Sequence, residues 1–268
     1  MDNNEVLSKL HNVLLELLCE FDRICKKHNI QYFLDSGTAL GAIRHGGFIP
    51  WDDDLDVGMM RDDYNKFLKV AYSEVGEKYV VLTKEVDPAY NKYHAKLVRK
   101  NTIYPEPTNK NYKYRGISID IFPFDKISND LEKRRSDFKT DLFYKRVIGL
   151  KKSKKNRTSI LKISLHYLLK CLPMSLLEKK LYNLWTQHND TESSYVTCYL
   201  YRMLLKRSIV FPKSIFLPVK QIKFEGGEFP IMKNYEEYLS LMYGDYMKLP
   251  PENEREFHLC GDVVFDKD

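Results

Sequence analysis

The sequence predicts an α+β fold in which helices flank a mixed β-sheet core and a basic helical insert interrupts it. Helical and strand periodicities alternate along the first 125 residues, and residues 126–205 are helix-prone and basic. Short strand patterns return after residue 205. The chain has 268 residues, of which 43% are apolar, enough for a core domain with a substantial insert. We therefore predict a core in residues 1–125, a helical basic insert in 126–205, and a segment, 206–268, that completes the core and covers the site.

The first part of the core alternates between two periodicities. Residues 4–28 place apolar side chains at helical spacing, whereas residues 116–122 alternate isoleucine with polar side chains, as strands do. In chain order, the predicted elements are a helix over 4–28, a strand over 32–34, a helix that ends at Arg44, a strand that begins in the aspartate-rich segment after Trp51, a helix over 62–75, strands over 79–82, 93–98 and 116–122, a strand over 222–224, and a helix over 235–243.

The composition indicates a globular protein of a reducing compartment. The chain begins with the polar residues MDNNEV, whereas a secretory signal needs a basic start and an apolar run. The five cysteines are scattered and form no C-x-x-C pair, so neither disulfides nor a zinc site is expected. These features predict a cytoplasmic protein.

Positive charge is concentrated in one part of the chain. The formal net charge is +6, but residues 126–185 carry 16 Lys and Arg against five Asp and Glu, a net charge of +11. Residues 145–170 carry nine basic side chains and no acidic one. This asymmetry predicts an anionic partner. Because no nucleic-acid-binding module is recognisable, we expect an anionic membrane surface and no nucleic acid.

Four aspartates within five positions form the candidate chemical centre. Asp52, Asp53, Asp54 and Asp56 repel one another when ionised, so the cluster predicts a positively charged partner. On a strand, Asp54 and Asp56 would point to the same face, because side chains repeat every second residue. Two carboxylates on one face can bind a hard divalent cation such as Mg²⁺ or Mn²⁺. Asp53 would point away from that face.

Asp120 is the candidate third carboxylate. It lies in the otherwise apolar strand 116–122, where an ionised side chain needs a partner. If this strand neighbours the one with Asp54 and Asp56, three carboxylates converge, as in metal-assisted phosphoryl or nucleotidyl transfer. A solvated acidic turn or a calcium loop is the alternative. The apolar flank 49–51 and the lack of EF-hand spacing disfavour it.

The segment Ser36-Gly37-Thr38 lies at a predicted strand-to-helix turn just before the aspartates. Small residues at such a turn let backbone N–H groups approach a phosphate, although an ordinary helix cap has the same composition. Arg44 and His45 follow at the other end of the predicted helix. The Arg44 guanidinium is suited to clamp a phosphate with two hydrogen bonds.

Three segments form longer motifs: LDSGTALGAIRHGGFIPWDDDLDVGM (34–59), RGISIDIFPFD (115–125) and FEGGEFPIMKNYEEYLSLMYGDYMKLPP (224–251). They resemble the LicD family, which comprises phosphocholine transferases and relatives that include fukutin-type ribitol-phosphate transferases. The resemblance runs from about residue 20 to residue 258. It implies a nucleotidyltransferase-like fold with its catalytic core in residues 1–125.

The resemblance also implies an activity. A CDP-linked donor and a divalent cation, Mg²⁺ or Mn²⁺, would serve to move phosphocholine or an alditol phosphate onto a glycan hydroxyl. By resemblance Asp54 and Asp56 are the metal-binding pair, and Asp120 is a metal ligand or the base that accepts the proton of the acceptor hydroxyl. The residues assigned to donor binding are Ser36, Gly37, Thr38, Arg44, His45, Lys96, Arg115 and His258.

Two other function classes stay open on the sequence. One is a nucleotidyltransferase that adds a nucleoside monophosphate to a small acceptor, which the 34–59 motif disfavours. The other is a non-enzymatic membrane- or nucleic-acid-binding protein that uses residues 145–170, which leaves the aspartate cluster unexplained. The favoured hypothesis adds a lipid-linked glycan acceptor and peripheral contact with the inner face of an anionic membrane.

Overall fold

The structure of the protein, a computed structural model, describes residues 3–152, 172–201, 208–255 and 261–266. The chain divides into a core unit, Met1–Phe124 with Lys213–Asp268, and an insert unit, Asp125–Pro212. In the described residues, no helix combines the length and the apolar character that crossing a membrane would require.

The helices and strands follow one another in a mixed order. They are α1 (Asn3–Lys27), β1 (Phe33–Leu34), α2 (Ser36–Arg44), β2 (Asp56–Met60), α3 (Arg61–Glu74), β3 (Tyr79–Leu82), β4 (Ala95–Arg99), β5 (Ser118–Ile127), α4 (Leu131–Lys152), α5 (Met174–Thr186), β6 (Tyr195–Thr197), β7 (Phe211–Pro212), β8 (Lys220–Phe224), β9 (Gly227–Ile231) and α6 (Tyr235–Tyr243).

The core unit is built on a mixed sheet with the strand order β1-β2-β5-β4-β3. Strands β2 and β5 are parallel, whereas the β1–β2, β4–β5 and β3–β4 pairs are antiparallel. Strands β8 and β9 form a separate antiparallel hairpin. A mixed sheet with helices around it confirms the predicted fold class.

Helices cover this sheet with the apolar faces that the sequence indicates. Helix α1 packs on β4 and α3, and it buries Leu10, Leu14, Leu17 and Phe21 at helical spacing. Helix α3 packs on β2 and β3, and α2 packs on β2 and α6. The parallel ladder of the central strands β2 and β5 sets the register that positions the site.

Strands β5 and β9 depart from the prediction. The strand predicted over 116–122 continues to Ile127, because its last three residues pair with β6 inside the insert unit. Strand β9 was not predicted, because Gly227 and Pro230 are more typical of turns than of strands. It forms because Glu225 and Gly226 adopt positive φ angles and close the β8–β9 hairpin.

The insert unit packs helix α4 against α5. Buried Asp141 accepts a hydrogen bond from Trp185 Nε1 at 2.7 Å and pairs with Lys145 Nζ at 2.9 Å. Other basic residues of α4 are also paired within the insert unit, since Lys133 lies 2.8 Å from Asp137 and Arg135 lies 2.7 Å from Glu132. Of the basic stretch 145–170, only residues 145–152 are among those described.

Candidate active site

The site is built on a row of charged side chains that crosses three neighbouring strands. Asp56, the first residue of β2, lies opposite Asp120 of β5 in the parallel register. Lys96 of β4 lies opposite Asp120 on its other side. Directly opposite residues of paired strands share one face of the sheet, so Asp56, Asp120 and Lys96 form one row. The strand that carries Asp120 therefore neighbours the strand that carries Asp56, as predicted.

Asp54 lies just outside this row. Strand β2 begins at Asp56, so the prediction that one strand carries both Asp54 and Asp56 is wrong. The physical reason is that β1 ends at Leu34, because Asp35 becomes the N-cap of α2. The antiparallel ladder of β1 and β2 consequently stops at Leu34 and Val57, and cannot extend back to Asp54.

Lys96 neutralises one end of the row. Its Nζ lies 2.9 Å from Asp120 Oδ1 and 2.8 Å from Glu106 Oε1, and Lys92 Nζ lies 2.8 Å from Glu106 Oε2. Burial alone would raise the pKa of Asp120, but Lys96 and then His94 outweigh it and hold that pKa well below its ordinary value. Asp120 therefore stays ionised at any physiological pH.

His94 contacts Asp120 from a second side. His94 Nε2 lies 3.5 Å from Asp120 Oδ2, and burial lowers the pKa of His94, so its ring is neutral at pH 7. Because Lys96 Nζ lies 2.9 Å from Oδ1, both carboxylate oxygens of Asp120 have a neighbour within the protein.

Asp54 and Asp56 lie beside negative charges, whereas Asp120 lies beside a positive one. Burial, and then the charges of the neighbouring carboxylates, raise the pKa of both side chains well above the ordinary aspartate value. Asp54 nevertheless has an exposed surface, because it lies on a loop that borders a cleft. Like charges gathered in this way are stabilised by a proton or by a cation.

Asp52 and Asp53 are held by contacts from other elements. His11 of α1 contacts the Asp52 carbonyl oxygen through Nε2 at 2.7 Å, and its ring stacks on Phe48. The Tyr104 hydroxyl donates to Asp53 Oδ2 at 2.5 Å. Burial and the charge of Asp53 raise the pKa of Asp52 to about 6. The acidic loop 52–54 is thus fixed before any ligand binds.

The Ser36-Gly37-Thr38 turn serves the structure of this loop. Asp35 accepts hydrogen bonds from Ser36 N at 2.9 Å and from the Tyr238 hydroxyl. The Ser36 N–H is therefore already engaged within the protein. Thr38 Oγ1 accepts the Asp56 N–H at 2.8 Å and so positions the start of β2. A Cβ atom on Gly37 would lie 2.8 Å from Asp52 Oδ2, so a larger residue here would require the Asp52 side chain to shift.

Two cavities border the acidic loop. The larger, about 590 Å³, is lined by Asp52 together with Gly37, Arg44, Trp51, Tyr243 and Tyr246, among others. The smaller, about 220 Å³, is lined by Asp53, Asp54 and Asp120 together with Lys92, Lys96, Tyr104 and Glu106, among others. Consecutive residues of one loop therefore serve different cavities.

The donor set suits a hard divalent cation, although no ligand cage is preformed. Among the residues that the structure describes, no three His, Cys, Asp or Glu side chains are arranged at metal-binding distances. Asp54 and Asp56 nonetheless supply carboxylate oxygens, the ligands that Mg²⁺ and Mn²⁺ prefer, and their raised pKa values indicate uncompensated negative charge. The chemistry of these residues fits such an ion.

The remaining predicted donor-binding residues occupy different places. His45 is exposed and packs edge-on against Trp51 at 6.0 Å. Lys96 is buried in the ion pairs with Asp120 and Glu106. Arg115 is exposed, and its carbonyl oxygen accepts the Tyr104 N–H at 2.7 Å. His258 lies outside the described residues.

Several site residues carry no signal in the sequence. From the sequence alone, His94 is interpreted as an ordinary core histidine. Lys92, Tyr104 and Glu106 belong to no motif of charged residues. Their position follows from the β4–β5 pairing, which brings residues 92–106 beside Asp120. For this segment the sequence predicted a strand over 93–98 and, by resemblance, a donor-binding role for Lys96.

Comparison with known proteins identifies a matching family and several relatives. Residues 29–154 match the family described as LicD/FKTN/FKRP, nucleotidyltransferase domain. The chain is 32% identical to the lipopolysaccharide cholinephosphotransferase LicD of Haemophilus influenzae, over 92% of this chain and 93% of that protein. It is 40% identical over 47 residues to human ribitol 5-phosphate transferase FKRP, over 18% of this chain and 10% of that protein. An uncharacterised Rickettsia typhi protein, RT0683, is 33% identical over 43% of each chain.

Proposed function

The chain belongs to the LicD family, and from that premise we propose that it is a metal-dependent phosphotransferase. It moves phosphocholine, or an alditol phosphate, from a CDP-linked donor onto a hydroxyl of a cell-surface glycan precursor, such as teichoic acid, lipopolysaccharide or capsule. The observation that carries this proposal is the row in which Asp56, Asp120 and Lys96 adjoin one another across three strands. Relatives named as cholinephosphotransferase and ribitol 5-phosphate transferase support the type of group transferred.

The chemistry requires charge to be neutralised around a phosphate. Asp54 and Asp56 would hold Mg²⁺ or Mn²⁺, which when bound offsets the negative charge of the donor diphosphate. The acceptor oxygen forms a bond to the transferred phosphorus, the bond from that phosphorus to the bridging oxygen breaks, and CMP leaves with that oxygen. The hydroxyl proton passes to a base or to solvent.

The electrostatics of Asp120 favour one of its two proposed roles. A general base works best when its pKa is close to the working pH, whereas Lys96 holds the pKa of Asp120 far below it. A carboxylate that is always ionised is better suited to accept a hydrogen bond from the acceptor hydroxyl, or to bind the cation. We therefore assign Asp120 to orienting the reactants, and the loose transition state of phosphoryl transfer makes little demand on a base.

A donor screen tests this function. Purified protein is incubated with CDP-choline, CDP-ribitol, CDP-glycerol and plain nucleoside triphosphates, each with Mg²⁺, Mn²⁺ or EDTA, and a glycan acceptor. We expect CMP release from one CDP-linked donor, only with a divalent cation present. Release of pyrophosphate from a nucleoside triphosphate would instead support the nucleotidyltransferase alternative, and the absence of both activities would favour a non-enzymatic role.

We also propose an anionic membrane surface as a partner, for an acceptor that is lipid-linked at the inner face of the membrane. The support is the charge of residues 126–185, together with aromatic and apolar side chains that α4 and α5 expose, such as Phe143, which is 61% exposed. Cations near anionic headgroups contribute about 1 kcal/mol each. An interfacial helix tolerates the lysines that would interrupt a spanning one.

Vesicle sedimentation tests the membrane partner. The protein should sediment with vesicles rich in anionic lipid, stay in the supernatant with neutral vesicles, and be released by salt. Changing Lys151, Lys152, Lys154 and Lys155 together to Ala should abolish sedimentation and spare transfer to a soluble acceptor. Lys154 and Lys155 lie outside the described residues. Equal sedimentation with neutral and anionic vesicles would contradict the idea.

A further inference from the structure

The turn of the β8–β9 hairpin contacts the segment that leads into the acidic loop. Glu225 Oε1 accepts the Phe48 N–H at 2.9 Å, and the Glu225 N–H donates to the Gly46 carbonyl oxygen at 3.1 Å. A Cβ atom on Gly47 would collide with the Glu225 carboxylate, so a larger residue there would displace that side chain. Glu225 therefore holds the backbone on both sides of Gly47.

Glu225 occupies an unusual backbone conformation. It has a φ of 48° and Gly226 a φ of 79°, and these two residues form the whole connection between the strands. Positive φ at both positions defines a type I′ turn, for which Asn-Gly is the favoured sequence. A glutamate is strained in this conformation. The turn itself therefore does not explain the glutamate, whereas its side-chain contact with Phe48 does.

Further contacts connect Phe48 to the acidic loop. The Phe48 ring packs on Phe224 with ring centres 4.9 Å apart, and it stacks on His11 of α1 with ring centres 4.1 Å apart. His11 Nε2 lies 2.7 Å from the Asp52 carbonyl oxygen. Since a carbonyl oxygen can only accept, His11 Nε2 is the donor. The Asp52 N–H in turn donates to the Ile49 carbonyl oxygen at 2.9 Å.

We propose that Glu225 is a positioning residue, which fixes the acidic loop at the start of β2 by holding Phe48 against His11. The contacts with Phe48 and His11 stand by themselves, whereas the consequence for catalysis rests on the proposed function, in which Asp54 of this loop binds the cation. A displacement of about 1 Å at a reacting centre costs up to about a hundredfold in rate. This role accounts for the start of the 224–251 motif, which supplies none of the carboxylates in the row.

Glu225→Asn separates positioning from stability. The asparagine side chain is one methylene shorter and does not reach the Phe48 N–H, but Asn-Gly is the preferred type I′ sequence. The melting temperature should therefore be unchanged or higher, while kcat for transfer from the CDP-linked donor found in the donor screen falls about tenfold or more. The KM for that donor should change less than about threefold. A wild-type kcat in Glu225→Asn would overturn the inference.

Two further variants show whether the hydrogen bond to Phe48 is responsible. Glu225→Gln keeps a side-chain oxygen at the same reach, so most of the wild-type turnover should be recovered. Glu228→Asn is the matched control, because Glu228 is an exposed residue of β9 in the same hairpin, and its kcat should be that of the wild type. A loss in Glu225→Gln as large as that in Glu225→Asn would contradict a role through this hydrogen bond.

His11→Phe tests the next contact. Phenylalanine keeps the ring stack on Phe48 but cannot donate to the Asp52 carbonyl oxygen, so kcat should fall in this variant too. Residues that act through one set of contacts give non-additive losses. The double variant with Glu225→Asn should therefore lose no more than the larger single loss. Losses that multiply would show that Glu225 does not act through His11.

Tryptophan quenching measures the position of the loop without metal or donor. Trp51 lies between Phe48 and Asp52, and the other tryptophan, Trp185, is buried in the insert unit. The Trp51 emission is obtained by difference from Trp51→Phe. Its acrylamide quenching constant should rise in Glu225→Asn and stay at the wild-type value in Glu228→Asn. An unchanged constant in Glu225→Asn would show that the segment is fixed without Glu225, and the inference would fail.

The outcomes separate this inference from the proposed function. If Trp51 becomes more accessible in Glu225→Asn but the wild type releases CMP from no CDP-linked donor, Glu225 fixes the loop and the proposed function fails. If the wild type uses a CDP-linked donor and Glu225→Asn turns it over equally fast, the proposed function stands and Glu225 is not a positioning residue.

Discussion

Asp56 and Asp120 are neighbours across one pair of parallel strands, yet their surroundings are opposite. Asp120 lies beside Lys96, and its pKa is held below the ordinary value. Asp56 lies beside Asp54 and Asp120, and burial with those charges raises its pKa. Among the residues that the structure describes, the Asp120 end of the row therefore has a counter-ion and the Asp56 end has none.

The difference indicates a division of labour. A cation within the protein keeps its carboxylate ionised at physiological pH, so that carboxylate is a poor base. Carboxylates without such a cation can instead bind one from solution. A folded protein tolerates such repulsion at a functional site because packing elsewhere offsets it. The Asp54–Asp56 pair is thus expected to matter for chemistry, and the Asp120–Lys96 pair for both chemistry and stability.

The largest expected effect comes from the uncompensated pair. Asp54→Asn or Asp56→Asn removes a cation ligand, and a metal contribution of several kcal/mol corresponds to a loss of about a thousandfold in activity. The fold should be intact, and the melting temperature without metal should be equal or higher, because repulsion falls. Transfer assays and thermal melts measure both.

The control for this loss is Asp62→Asn, which changes an exposed aspartate in the first turn of α3. It removes the same charge without touching the row, and activity should be unchanged. Wild-type activity in both Asp54→Asn and Asp56→Asn would contradict the proposal that these carboxylates bind the cation.

The sequence is enough to predict which carboxylates matter, and it falls short on what surrounds them. Alternation around Asp120 and the crowding of Asp52–Asp56 are local patterns, so both were visible, and the family motifs indicated their role. Lys96 neutralises Asp120 only through the antiparallel register of β4 and β5, which no local pattern encodes. Arg255 is brought to Trp51 from about 200 positions away, a tertiary contact that only the folded chain shows.

The second prediction concerns Asp120. In Asp120→Asn the acceptor hydroxyl loses its orienting carboxylate, and turnover should fall about a hundredfold, while the affinity for CDP changes less than threefold. Steady-state kinetics and calorimetry make the comparison. Ser118→Ala, a nearby change in the same cavity, should have a much smaller effect. An unfolded Asp120→Asn protein would show that this aspartate is structural.

The third prediction concerns the contribution of the Lys96–Asp120 pair to stability. Lys96→Met leaves Asp120 without its cation and leaves Glu106 paired with Lys92 alone, and breaking a buried ion pair in this way costs about 3–5 kcal/mol. Denaturant unfolding should show that loss. Lys92→Met is the matched control, because Lys92 pairs with Glu106 but is more exposed, and it should cost about 1 kcal/mol or less. Equal losses in the two variants would mean that Lys96 is not the counter-ion of the row.

The last prediction uses pH to distinguish the acidic loop, through Asp52, from Asp120 with its counter-ion. A carboxyl group whose folded pKa is raised, as that of Asp52 is to about 6, binds its proton more tightly in the folded state. Between about pH 4 and pH 6 the metal-free protein should therefore lose about 1–2 kcal/mol of unfolding free energy as pH rises. Asp120 has a lowered pKa, so its stabilising contribution is complete above about pH 4 and is lost only in stronger acid.

Denaturant unfolding at several pH values measures the slope of unfolding free energy against pH, which Asp52→Asn should reduce. Added Mg²⁺ should stabilise the protein more at pH 7 than at pH 5, because the cation replaces protons on the uncompensated carboxylates. A stability that rises steadily with pH from 4 to 6 without metal would show that these aspartates are already neutralised within the protein.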